Sequence, residues 1–289
     1  MNTTRSQIRS GQPRAILTFL GNCVTPAQAV LVAMLFVSCS PRVEGPKNEA
    51  FEQTYEIDPD AGLSIRNTDG SIVIHGTETA ALKLRVVKKA SNSEELKGID
   101  ITATAGAKSV SITTRFLPQK HKVLSSGSRT VDYTMALPRT VNLTRVDLEN
   151  GKVLIERMRG ELQATVVDGQ LAIRICCGNS DITIGNGALD LYYEPCDRKR
   201  FSVDAKMTNG NARLFVQRGA PLRVHAETMA GKITNEFGMV NVNGRVERNV
   251  DISTGSDVRH EIKLRLTTGD IKIAEPGSET ANSGSSPSQ

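Results

Sequence analysis

The residues best able to ligate a metal or act as nucleophiles are Cys176, Cys177 and Cys196, with the histidines at 75, 121, 225 and 260. A tetrahedral zinc site wants four thiolate or imidazole ligands at short spacings, whereas two of these cysteines are adjacent and no histidine lies near them. The histidines themselves are scattered and read as surface or strand-edge residues. Asp69, Asp168 and Asp270 lie beside glycines, as calcium ligands do in some repeats, but such repeats place an acid in every turn. Here the aspartates read as turn residues. No serine sits in a G-x-S-x-G elbow. Asp190 with Glu194, or the basic run from Arg198 to Arg200, comes nearest to the grouped carboxylates and bases of a polysaccharide-cleaving groove. Nothing in their spacing requires chemistry rather than solubility. The expectation is therefore a non-enzyme with no catalytic residue, no metal and no cofactor; the alternative is a polysaccharide lyase or hydrolase on the same scaffold.

Charge and the N-terminus narrow the compartment. The 289-residue chain has a formal net charge of +5. Arg5, Arg9 and Arg14 carry three of those charges, which leaves 5 − 3 = +2 for the rest. No aromatic residues interleave a basic run, so a nucleic-acid partner is not expected. The three arginines precede an apolar run from Ala29 to Val37, too short to span a bilayer but fitting the core of a signal peptide. "FVSC", Phe36 to Cys39, follows and resembles the lipobox of bacterial lipoproteins, with Phe36 where leucine is usual. The resemblance implies a signal peptide over 1–38, lipidation of Cys39 and a tether over 39–50. With Ser40 rather than an acid after the cysteine, it also implies an envelope protein anchored to a membrane by its lipid, at the outer membrane or facing the periplasm.

What must position any binding surface is a repeat. Gly151, Gly160, Gly169, Gly178 and Gly187 stand nine residues apart. After most of them the residues two and four places on are apolar: Val153 and Ile155, Leu162 and Ala164, Leu171 and Ile173, Leu189 and Leu191. That alternation puts one strand face into a core. Gly70, Gly210 and Gly269 repeat the phrase, and Gly231 is a weaker copy. Asn or Asp before several of these glycines marks tight corners. A hairpin meander would need no fixed spacing, whereas strands stacked into a coil do. The spacing predicts an all-β fold, a β-solenoid (β-helix-like) with two nine-residue sides per 18-residue rung, Gly151 stacking over Gly169 over Gly187 and Gly160 over Gly178. The phrase slips after Gly178, which predicts a bulge between Cys177 and Ser180. Cys177 and Cys196, 19 residues apart and so nearly one rung, are the candidate disulfide; buried free thiols are the alternative. The best helical stretch runs from Ala90 to Gly98, with Ser93 as the candidate cap.

The order of phrases, "IRNTDGSIVIHG" (65–76), "SVSITTRF" (109–116), "VDYTMALPRTVNL" (131–143) with Tyr133, Leu137 and Pro138, then the tandem glycines, resembles the putative adhesin family of bacterial domains of unknown function. The resemblance covers 51–274 and implies an adhesin-like β-helix domain without catalytic residues. Residues 275–289, rich in Ser, Gly and Pro, read as a disordered tail. The function expected is binding or scaffolding, with an envelope protein or a polysaccharide as partner and Lys152, Glu156, Gln163, Gln170 and Arg174 on the outer face.

Overall fold

The computed structural model of the chain describes residues 4–6, 45–118, 128–174, 178–193, 200–237, 248–254 and 258–277. Almost everything described is strand, in one sixteen-stranded sheet that is not closed on itself. In chain order the strands are β1 (Thr4–Ser6), β2 (Lys47–Glu56), β3 (Gly62–Thr77), β4 (Ala81–Ala90), β5 (Ile99–Gly106), β6 (Ser109–Phe116), β7 (Arg129–Pro138) and β8 (Asn142–Glu156). They continue with β9 (Leu162–Arg174), β10 (Ser180–Tyr192), β11 (Phe201–Phe215), β12 (Leu222–Ala230), β13 (Ile233–Asn235), β14 (Asn249–Thr254), β15 (His260–Thr268) and β16 (Ile271–Ala274).

Why these strands bend is visible in their burial. In β9, Leu162, Ala164 and Val166 are buried and then Leu171 and Ile173, so the inward phase changes from even to odd. Gly169, between the two sets, has φ +152, and that residue lets the strand turn so that both arms face one core. The same step of five residues separates Leu148 from Val153, Ile184 from Leu189, Met207 from Ala212 and Leu266 from Ile271, all buried. Each rung is thus an arm, a glycine corner and a second arm.

The rungs pair in parallel and in register: Gly70 with Gly151, Gly151 with Gly169, Gly169 with Gly187, and Gly187 with Gly210. At the second corner Gly178 packs over Gly160 so closely that a Cβ would collide with the Gly160 carbonyl. The order of rungs is not sequential at either end. β15 and β16 lie against β11, and β12 and β13 lie outside them. The outermost parallel rung at the other end is β6 with β7, which flank β3 although they follow it in the chain. Antiparallel strands close both ends: β5 on β6, β4 on β7 and β2 on β4 at one, β14 on β12 at the other. β1 adds antiparallel to β5.

Three expectations are corrected. Of the bulge expected between Cys177 and Ser180, Cys177 lies outside the described residues, and none is present from Gly178 to Ser180, because Ser180 pairs in register with Leu162 and fills its core position; its hydroxyl donates to the Gly178 carbonyl at 3.1 Å. The register shift lies instead between Leu143 and Val146 of β8. The helix, α1 (Ser93–Lys97), is capped by Asn92, whose side chain accepts from the Glu95 N–H at 2.9 Å, rather than by Ser93. His260 is a core residue, not a surface one: it is buried, stacked on Phe201 with ring centroids 4.2 Å apart, and shares a 2.6 Å hydrogen bond with the Tyr193 hydroxyl.

Candidate functional site

Register decides what the outside of the molecule looks like. Side chains one strand apart at matched positions form rows across the rungs, and the rows on the first arm are polar. One row runs Arg66, Asp147, Thr165, Thr183, Lys206, Arg265, Glu227. Beside it, Gln163, Asp181, Asp204, Lys263 and His225 form another. Opposite charges meet along and across strands: Asp147 accepts from Arg145 of its own strand at 2.7 Å and faces Arg66 of the neighbouring strand at 3.6 Å, and Asp204 takes two hydrogen bonds from Arg265. That pairing raises the Arg265 guanidinium above its ordinary value. Asp181 and Lys206 have no ion-pair partner among the described residues, so this stretch of face offers both signs of charge to something outside.

The second arm carries a different row, five residues after each corner glycine: His75, Glu156, Arg174, Tyr192, Phe215. Here every member is engaged with its neighbour. Glu156 faces His75 at 3.2 Å and Arg174 at 3.6 Å. The Arg174 guanidinium lies 4.6 Å from the centre of the Tyr192 ring, and Tyr192 stacks on Phe215 at 4.6 Å with 14° between planes. Both faces of the Tyr192 ring are therefore covered, which closes it to a sugar or a base that binds by stacking. Tyr192 and Phe215 were not singled out from sequence. Their shared offset from Gly187 and Gly210, the same that places Glu156 and Arg174, is the signal that could have found them.

At the corner itself the aspartates are structural partners of the neighbouring rung. Asn186 donates to Asp168 at 2.6 Å and Asn209 to Asn186 at 2.9 Å, while Asn150 donates to Asp69 at 3.4 Å. Burial pushes the Asp69 carboxyl above its ordinary value despite hydrogen bonds from Asn150 and the Gly70 N–H. Asp270 accepts from the Lys232 N–H at 3.0 Å. Of the candidate carboxylates, Asp190 is gripped by both arms of the Arg213 fork at 2.6 and 2.7 Å. Among the described residues no cluster of His, Cys, Asp and Glu could hold a metal ion. Lys152, Gln163, Gln170 and Arg174 are exposed and Glu156 half-buried. Gly70, Gly151, Gly169, Gly187, Gly210, Gly231 and Gly269 all have positive φ. Cys39, Cys176, Cys177, Cys196, His121, Glu194, Arg198 and Lys199 lie outside the described residues.

No protein-family model matches the sequence, and no curated protein matches it as a relative. Solved structures do resemble it. One is a putative cell adhesion protein from Clostridium sporogenes, 16% identical, with a TM-score of 0.45 over 78% of this chain and 100% of that one. Another is a putative adhesin from Bacteroides fragilis, 10% identical, with a TM-score of 0.33 over 78% of this chain and 97% of the other. A putative lipid binding protein from Parabacteroides distasonis is 8% identical, with a TM-score of 0.24 over 80% of this chain and 96% of the other.

Proposed function

We propose that the chain is a non-catalytic cell-envelope lipoprotein, tethered through Cys39, whose body is a β-solenoid used for binding or scaffolding. The observation that carries this reading is the first-arm face. Its longer row, from Arg66 to Glu227, continues across rungs centred on Gly70, Gly151, Gly169, Gly187, Gly210, Gly269 and Gly231. Stacked about 4.8 Å apart, seven rungs present a regular polar face about 29 Å long. A regular face of this kind matches an extended partner, a polymer or the surface of another envelope protein, better than a small substrate. The adhesin resemblance of the sequence points the same way, and the paired state of Asp190 argues against the lyase or hydrolase reading. In the same reading Cys177 and Cys196 are bridged in the oxidising envelope.

The test uses the full chain carrying Cys39→Ser. This protein is expected in the soluble fraction, without label from a fatty-acid analogue, and expected to rebind isolated envelopes through its face. Adding Gln163→Arg and Thr183→Glu, each placed beside an opposite charge (Asp181 and Lys206) so that the fold is spared, should weaken that rebinding on the order of tenfold. Continued labelling of Cys39→Ser would overturn the anchor, and undiminished rebinding of the face variant would overturn the binding surface.

A further inference from the structure

A cleft lies away from both outer faces, where β3 and β7 end and the chain turns from β8 toward β9. It has a volume of about 190 Å³ and is lined by Pro59, Thr77, Glu78, Thr79, Ala80, Pro138, Arg139, Thr140 and Arg159. The backbone fixes the two arginines side by side, since the Arg159 N–H donates to the Arg139 carbonyl at 2.6 Å. Arg157, at the start of the same turn, is the one non-glycine with positive φ among the described residues, at φ 59. Such a conformation persists only where the surroundings enforce it. Arg159 is exposed and has no ion-pair partner among the described residues. Arg139 is half-buried, with its Nε sealed from solvent and without an acceptor. Its only ion-pair partner among the described residues is Glu78, which meets an outer nitrogen at 2.8 Å although the Glu78 side chain is 79% exposed. A long, freely solvated carboxylate resting on a half-sequestered guanidinium forms a weak contact and is readily displaced.

We propose that this cleft binds the carboxylate of a uronic-acid residue in an acidic polysaccharide, with Glu78 as an intramolecular stand-in for that carboxylate. The guanidiniums of Arg139 and Arg159 supply the planar, charge-assisted donors that a carboxylate fits. Thr77, Thr79 and Thr140 line the same space; their hydroxyl protons are committed within the protein, Thr140 to the Pro59 carbonyl at 2.5 Å and Thr77 to the Leu137 carbonyl at 3.1 Å with Thr79 beside it at 2.7 Å, so their oxygens keep lone pairs that can accept from the hydroxyls of a sugar. Pro59, Pro138 and Ala80 give an apolar floor for the C–H face of a sugar ring. The inference rests on the reading of the protein as a binding body and gives it a ligand class, at a place distinct from the first-arm face.

Titration calorimetry of the full chain carrying Cys39→Ser with trigalacturonate tests it, against galactotriose and inorganic phosphate. Binding of trigalacturonate is expected, with galactotriose at least tenfold weaker. Arg159→Ala should weaken it on the order of tenfold, about the loss of one charge-assisted contact. Glu78→Gln, which removes the stand-in, should tighten it severalfold. The face variant Gln163→Arg/Thr183→Glu should bind trigalacturonate unchanged, which separates failure of the cleft from failure of the face. Unaltered or weaker binding by Glu78→Gln would overturn the stand-in, and phosphate binding as tightly as trigalacturonate would reduce the cleft to an oxyanion site without a sugar. No binding of trigalacturonate at all would overturn the proposal.

Discussion

Tyr133 brings a hydroxyl into an interior made mostly of aliphatic side chains. The ring is fully buried on β7, and its hydroxyl lies 2.6 Å from the Thr114 hydroxyl, itself only 3% exposed. Burial pushes the phenol up to about 12 from 10.0, outweighing the hydrogen bond. The folded protein therefore holds this proton more tightly than the unfolded chain. The stability so gained is whole below pH 10 and is lost as pH rises toward 12. Tyr133→Phe should cost about 1–3 kcal/mol at neutral pH, because Thr114 is left unpaired, and should remove that alkaline loss. Urea unfolding of both proteins from pH 8 to 12 measures it; parallel alkaline declines would refute the assignment. Asp132, its neighbour in the chain, behaves in the opposite sense. Burial would raise its carboxyl, but hydrogen bonds from Lys89 and Ser71 more than offset this and hold it below its ordinary value. Its contribution is present above the ordinary carboxylate range and fades as pH falls through the lowered value.

Within an element, the glycine corner decides whether a rung can exist. At Gly169 the backbone has φ +152, and a Cβ would collide with the carbonyl of Gly151 in the rung below. Gly169→Ala should therefore cost at least about 3 kcal/mol, combining backbone strain with forced separation of two rungs. Gly219, at φ +78 with open space around it, isolates the strain alone, and Gly219→Ala should cost about 1–2 kcal/mol. Denaturant midpoints of the two variants check the difference, and equal losses would mean that stacking adds nothing. This part of the fold was legible because only glycine serves where φ is positive and backbones touch, so the requirement is written as residue identity. Ser180 was not legible, since a serine in a core position breaks the apolar phrase while its hydroxyl is satisfied locally. The caps of α1 likewise differ by one residue, between two side chains that both cap well.

For the molecule as a whole, spacing along the chain could not reveal which rung lies beside which. In-register parallel pairing matches Gly210 to Gly269 as readily as to Gly231, and only packing at the ends decides. The cleft was hidden for a related reason, because Arg139 and Arg159 sit 20 residues apart and meet through backbone pairing between turns. The interposed rung makes a clear expectation. A chain ending at residue 257 lacks β15 and β16, so β12 and β13 lose the strands that join them to β11. Amide exchange should then accelerate throughout β12 and β14 and along the newly exposed edge of β11, while β8 and β9 keep their protection, as expected where each rung contacts only its neighbours; protection retained in β12 and β11 would instead show that β12 has docked on β11 in place of β15. Uniform loss of protection would show that the stack unfolds as one unit.

The same interposition bears on synthesis. Emerging from its N-terminus, the chain presents β12 before the strands that must lie between it and β11. For that interval β11 offers an open parallel edge, and β12 has the same register and corner spacing as its rightful neighbour. A stack completed strand by strand would dock β12 one place too early, and releasing it would require breaking a formed ladder. The terminal rungs must therefore either assemble together after residue 274 has emerged or pass through a misordered state. The second course would give refolding a slow phase that the chain ending at 257 does not share.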